Sequence, residues 1–195
     1  MGKIGLLCLY CLLLFSCAKN KEVQRQSLYP IDSLLNRQAK YLSDNNATLT
    51  KVTSLGNRNG KASVTPKGMV AWKKELEIFS ALDVINKAVN KDLYHTENSL
   101  DDKSNLSIKS FTTKEELPVK YLKVYYHNTI DEVRKIEAQY NESNSLYESV
   151  RALTMEFQQI NNEAVLTSYS IVGGQKMLME DTVQYNINAF LTISR

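Results

Sequence analysis

After residue 17 the chain contains no cysteine. That excludes a disulfide framework and a thiol nucleophile in most of its length. Only three prolines and seven glycines occur, so collagen-like and proline-rich linker classes do not apply. His95 and His127 are the two histidines, and neither belongs to an H-x-x-x-H or H-E-x-x-H pattern. With so few convergent ligands, no metal centre is expected. No G-x-S-x-G elbow and no G-x-x-x-x-G-K-[ST] loop is present. Basic residues are interspersed with acidic ones, and no basic run exceeds Lys73-Lys74. The net charge of +3 therefore reads as solubility charge, without the clustered footprint of a nucleic-acid binder.

What is present suits one ordinary domain. Of 195 residues, 43% are hydrophobic and 23% charged, enough for a real core. The three cysteines, Cys8, Cys11 and Cys17, all fall in the first seventeen residues. Cys8 and Cys11 form a C-x-x-C inside LLCLYCLLL, with no polar setting and no further ligand, so they read as small hydrophobes. Met1-Gly2-Lys3 places one positive charge before an uncharged run from Ile4 to Phe15, twelve residues long. A spanning helix needs about twenty such residues, so the run fits a signal-peptide core. Gly2 lacks the downstream Ser or Thr of a myristoylation site.

Leu14-Phe15-Ser16-Cys17 then resembles the lipobox of bacterial lipoproteins, with Phe15 bulkier than usual at its position. The resemblance implies cleavage between Ser16 and Cys17 and transfer of a diacylglycerol to the Cys17 thiol. Acylated Cys17 would then be the partner of a lipid bilayer, and several buried chains make a stable anchor at roughly 0.8 kcal/mol per CH₂. Ala18-Lys19 follows Cys17 in place of an inner-membrane retention aspartate, which favours the outer membrane. Only Glu22 is acidic in the next few residues, a poor match to Bacteroidetes-type surface-export signals. A periplasm-facing protein is expected, with surface exposure as the alternative. Asp32-Ser33-Leu34 and Asp181-Thr182-Val183 are similar to the short O-glycosylation acceptor of the same group, Thr182 being the more accessible. The stretches WKKELEIF, LYESVRALTMEF and YSIVGGQKMLMEDTVQYNI resemble small lipoproteins of that group, a likeness that supplies no activity. The division expected is a signal peptide at 1–16, a lipidated terminus and polar tether at 17–29, and a single domain at 30–195.

Within that domain, Pro30 opens a helix to about Ser43, with Ile31, Leu34, Leu35, Ala39 and Leu42 on one face. Leu49 to Leu55 and Lys61 to Thr65 read as a hairpin around Gly56-Asn57-Arg58-Asn59-Gly60. A second helix carries Val70, Trp72, Leu76, Phe79, Leu82 and Ile85 and ends near Asn90. From Leu93 on the period is two, as in Leu122, Val124 and Tyr126, in Ile136, Ala138 and Tyr140, and in Leu153, Met155 and Phe157. Val165, Thr167, Tyr169 and Ile171 lead to Gly173-Gly174, a two-residue hairpin signal, and Val183 to Ile193 alternates again. The fold class expected is α+β: two helices packed on one face of a twisted antiparallel β-sheet of about six to eight strands, able to curl into a half-barrel.

Candidate sites are sparse. The acidic pairs Asp101-Asp102, Glu115-Glu116 and Glu180-Asp181 fall in loops, where solvated carboxylates are the default. Eleven tyrosines occur, seven of them (Tyr121, Tyr125, Tyr126, Tyr140, Tyr147, Tyr169 and Tyr185) on candidate strands. One face collecting them would suit a peptide, glycan or lipid headgroup, whereas ordinary half-buried strand positions would also hold them. Trp72, Phe79, Leu153, Met155 and Phe157 would line an apolar cleft between helices and sheet, or fill a plain core. The expected protein is a non-enzymatic envelope lipoprotein without cofactor or metal, binding an apolar ligand. The alternative is an interaction subunit of an outer-membrane complex that binds an envelope protein.

Overall fold

The structure is a computed structural model that describes residues 27–193. The expected signal peptide, Ser16 and Cys17 and most of the expected tether lie outside the described residues. Helix α1, Ile31–Asp44, starts behind Pro30, whose missing N–H a first turn does not need. Ile31, Leu34, Leu35, Ala39 and Leu42 are buried, as their spacing requires. The helix stops in a Schellman turn: Asn46 is left-handed (φ 47°), Asn46 N–H donates to Ser43 O, and Ala47 N–H to Leu42 O at 3.0 Å.

The second helix of the sequence reading is broken into four pieces. These are α2 Gly68–Glu75, α3 Glu77–Ser80, a 3₁₀ segment Ala81–Asn86, and α4 Ala88–Lys91. The reason is visible in the spacing. Leu76, Phe79, Leu82 and Ile85 recur every three residues and all are buried. An α-helix of 3.6 residues per turn would rotate that stripe away from the sheet, whereas a 3₁₀ turn keeps it aligned. Val70, expected on the stripe, is exposed.

The nine strands are β1 Thr48–Leu55, β2 Arg58–Val64, β3 His95–Leu100, β4 Ser107–Thr112, β5 Val119–Tyr126, β6 Val133–Ser143, β7 Tyr147–Ile160, β8 Glu163–Met177 and β9 Val183–Thr192. They form one antiparallel sheet in the order β2-β1-β9-β8-β7-β6-β5-β4-β3. The domain is thus α+β, with one strand more than the upper expectation. The hairpin turn is only Gly56-Asn57, so β2 begins at Arg58, earlier than expected.

Two corrections concern β8. Gly173-Gly174 is no turn; the strand runs through it, and reversal waits until residues 178–182. The glycines serve close packing instead. A Cβ on Gly173 would lie 2.5 Å from Tyr185 Oη and 2.9 Å from the Val150 carbonyl oxygen, so the Tyr185 phenol occupies the missing side chain's place. Thr167 is the second correction. Glu156 faces Ser168 while Phe157 faces Leu166, leaving Thr167 as a bulge. The core side therefore passes from Ile171 and Tyr169 to Leu166, where unbroken alternation would have used Thr167 and Val165.

Gln38 of α1 explains how this bulged stretch is satisfied. β9 pairs with β8 only from Ser168 onward, so backbone groups before it lack a ladder partner on that side. The buried Gln38 amide replaces the missing strand: Nε2–H donates to Ala164 O and Leu166 N–H donates to Oε1, each at 2.8 Å.

Candidate functional site

The five residues expected to line a cleft do come together. Trp72, Phe79, Leu153, Met155 and Phe157 lie in one buried cluster with Ile136, Leu166 and Tyr169. Phe79 meets Tyr169 edge-on, with ring centroids 5.4 Å apart at 75°. Tyr169 Oη–H donates to Glu75 of α2, and Lys51 of β1 pairs with the same carboxylate at 2.5 Å. Surface clefts of 330 to 520 Å³ open on the described residues, and these are not lined by any of the five side chains. One detail departs from a plain core: the buried Trp72 Nε1–H has no acceptor among the described residues.

The tyrosines do not collect on one face. Register and alternation put Tyr121 and Tyr125 on the face turned from the helices, and Tyr140, Tyr147, Tyr169 and Tyr185 on the helix side. Several are held protonated. Burial pushes Tyr94, whose hydroxyl donates to Val119 O at 2.8 Å, up to about 12. Burial also raises Tyr29, Tyr125 and Tyr169, the last two helped by the Glu137 and Glu75 carboxylates they bond. Tyrosines of the unfolded chain ionise near 10, so above that pH the unfolded state releases protons before the folded one. Stability is then expected to fall between about pH 10 and 12, measured as the urea midpoint; an unchanged midpoint across that window would contradict these burials.

The remaining polar candidates stay apart. His95 is exposed on edge strand β3, and His127 Nδ1 lies 3.6 Å from Glu132 in an exposed turn. Asp101 accepts from Ser104 Oγ at 2.6 Å, and Glu116 pairs with Lys120 at 3.1 Å. No group of three or more metal-ligating side chains occurs among the described residues. Thr182 is exposed in the β8–β9 turn beside Asp181, while Ser33, also exposed, is inside α1. No described helix is long and apolar enough to cross a membrane.

A site that sequence reading did not single out sits at one end of the sheet. The β6–β7 and β8–β9 turns lie side by side, joined by Leu178 N–H donating to Leu146 O at 3.0 Å. Leu146, Met177, Leu178 and Met179 are all exposed there, Met179 to 97%. Met179 also holds φ +62°, a conformation in which glycine or asparagine costs less. Exposed neighbouring apolar side chains mark interaction surfaces more often than they serve stability. The signal in the sequence is the Met177-Leu178-Met179 run, which lies between Gly173-Gly174 and the strand expected from Val183.

No family model, no curated protein and no solved structure matches the chain.

Proposed function

We propose that the chain is a non-enzymatic cell-envelope lipoprotein, anchored in the outer membrane through acylated Cys17 and facing the periplasm, whose domain is an interaction module for an envelope protein. The apolar tip of Leu146, Met177, Leu178 and Met179 carries this reading. Its position supports it. The described chain begins at the opposite end of the long strands: Tyr29 feels Asp131 in the β5–β6 turn, which lies level with the β7–β8 turn. The fifteen residues of β8 separate the two ends by roughly 50 Å. A tether from Cys17 to Ser27 reaches roughly 35 Å at full extension, so an upright domain presents the tip away from its own bilayer. In the finer architecture, the sheet curls toward its helices as a half-barrel, a reading supported by the register shifts in β5 and β8.

The test is co-purification from gently solubilised membranes. Wild-type protein is expected to bring down a specific envelope protein, and Leu178→Asp to lose it with the fold intact. A partner-free wild-type monomer, or a partner retained by Leu178→Asp, would contradict the module. An apolar ligand between sheet and helices is the second reading, favoured by the unpartnered Trp72 Nε1–H, which an ester or carboxyl oxygen would satisfy.

A further inference from the structure

Among the described residues, the helices do not cover the helix side of the sheet along its whole length. Side-chain contact from the helices reaches the row of Tyr169 and Lys51, through Glu75 and Phe79. Two rows nearer the tip, Tyr140, Arg151, Gly173 and Tyr185 stand in register on β6, β7, β8 and β9. Three strand spacings make this line roughly 14 Å long. All three of its side chains are half-buried.

The line has a defined construction. The Tyr185 phenol rests on Gly173, because any Cβ there would collide with its Cζ at 2.6 Å. That contact lays the ring along the sheet instead of upright. Arg151 is clamped: Nε–H donates to the buried Ser149 Oγ at 3.2 Å, and Nη2–H to Glu142 Oε2 at 3.2 Å. Its guanidinium stands 5.7 Å from the Tyr140 ring centroid. Glu142 accepts in addition from the Tyr147 hydroxyl, so both carboxylate oxygens are held. Arg151 Nη1 has no partner among the described residues.

Charge selects the ligand class. Arg151 and Glu142 neutralise each other, so neither an anion nor a cation gains from the site as a whole. A purely apolar molecule would strip water from that ion pair without replacing it. A neutral sugar ring meets both demands: its C–H face stacks on a flat phenol, and its hydroxyls can accept from Arg151 Nη1 and donate to Glu142. We infer that Tyr140, Arg151 and Tyr185 form a binding platform for a neutral glycan chain, long enough for two or three sugar units.

The site is separate from the apolar tip, so the two ideas fail separately. The experiment uses the full lipidated protein in nanodiscs, titrated by calorimetry with an N-acetylglucosamine tetramer and a glucose hexamer. Binding of at least one is expected. Tyr185→Ala and Arg151→Gln should each weaken it about tenfold or more, Tyr185→Phe should retain it, and Leu178→Asp should leave it unchanged. If Tyr185→Ala fails to fold, Arg151→Gln and Tyr140→Ala carry the test. No wild-type binding of either oligosaccharide, or binding that these substitutions leave intact, would overturn the platform.

Discussion

Phe79→Ala is expected to destabilise the domain by about 3–5 kcal/mol, a large share of the stability of an ordinary domain. Phe79 has no solvent exposure, and its ring edge supports Tyr169. Tyr169 in turn bonds Glu75, which is also paired with Lys51. Deleting the ring therefore opens a void under the contact that fastens α2 to β8 and β1. The surroundings cannot collapse into it freely, because Leu76, Leu82 and Ile85 lie on the same short turns and are themselves buried. The result also separates the two functional readings. In a filled core the full cost appears in urea unfolding. A cost below about 1 kcal/mol would mean that the ring faces a cleft, and would favour the apolar-ligand reading.

Gln38→Leu carries the second large effect, about 2–4 kcal/mol. The substitution nearly conserves volume, so packing alone would forgive it. It removes the two hydrogen bonds that Gln38 makes to Ala164 and Leu166, leaving a buried N–H and C=O unpaired at about 1–3 kcal/mol each if water cannot reach them. Gln38→Glu should be damaging as well, since a carboxylate cannot donate to Ala164 O. Urea midpoints of the three proteins, compared at neutral pH, decide the matter. If Gln38→Leu unfolds with the wild type, the amide does not substitute for a strand.

That residue also shows where sequence reading reached its limit. Ile31, Leu34, Leu35, Ala39 and Leu42 announce α1 by spacing, and the structure places all five in the core. A glutamine on the same stripe carries no signal of its own, because its partners are 126 and 128 residues away. The alternation of β6 was equally legible, with Ile136 and Ala138 buried. In β8 the alternation breaks at Thr167, and nothing local distinguishes a bulge from an ordinary β-branched strand residue. Gly173-Gly174 misled for a similar reason. The dipeptide satisfies a hairpin turn, but here its lack of side chains accommodates Tyr185, a contact made across strands. The three-residue repeat of Leu76, Phe79, Leu82 and Ile85 is plain in the sequence, and its last two members fall in the 3₁₀ segment. The apolar tip is placed by the run of β8 on to Met177, which brings Leu178 and Met179 into the turn beside Leu146.

Lipid anchoring through Cys17 is tested most directly by the mass of the protein extracted from membranes. Intact-mass spectrometry is expected to find a chain beginning at Cys17 and carrying acyl groups on that residue, with Cys17→Ala unmodified and unprocessed. A mature chain that starts elsewhere, or a Cys17 that carries no lipid, would contradict it.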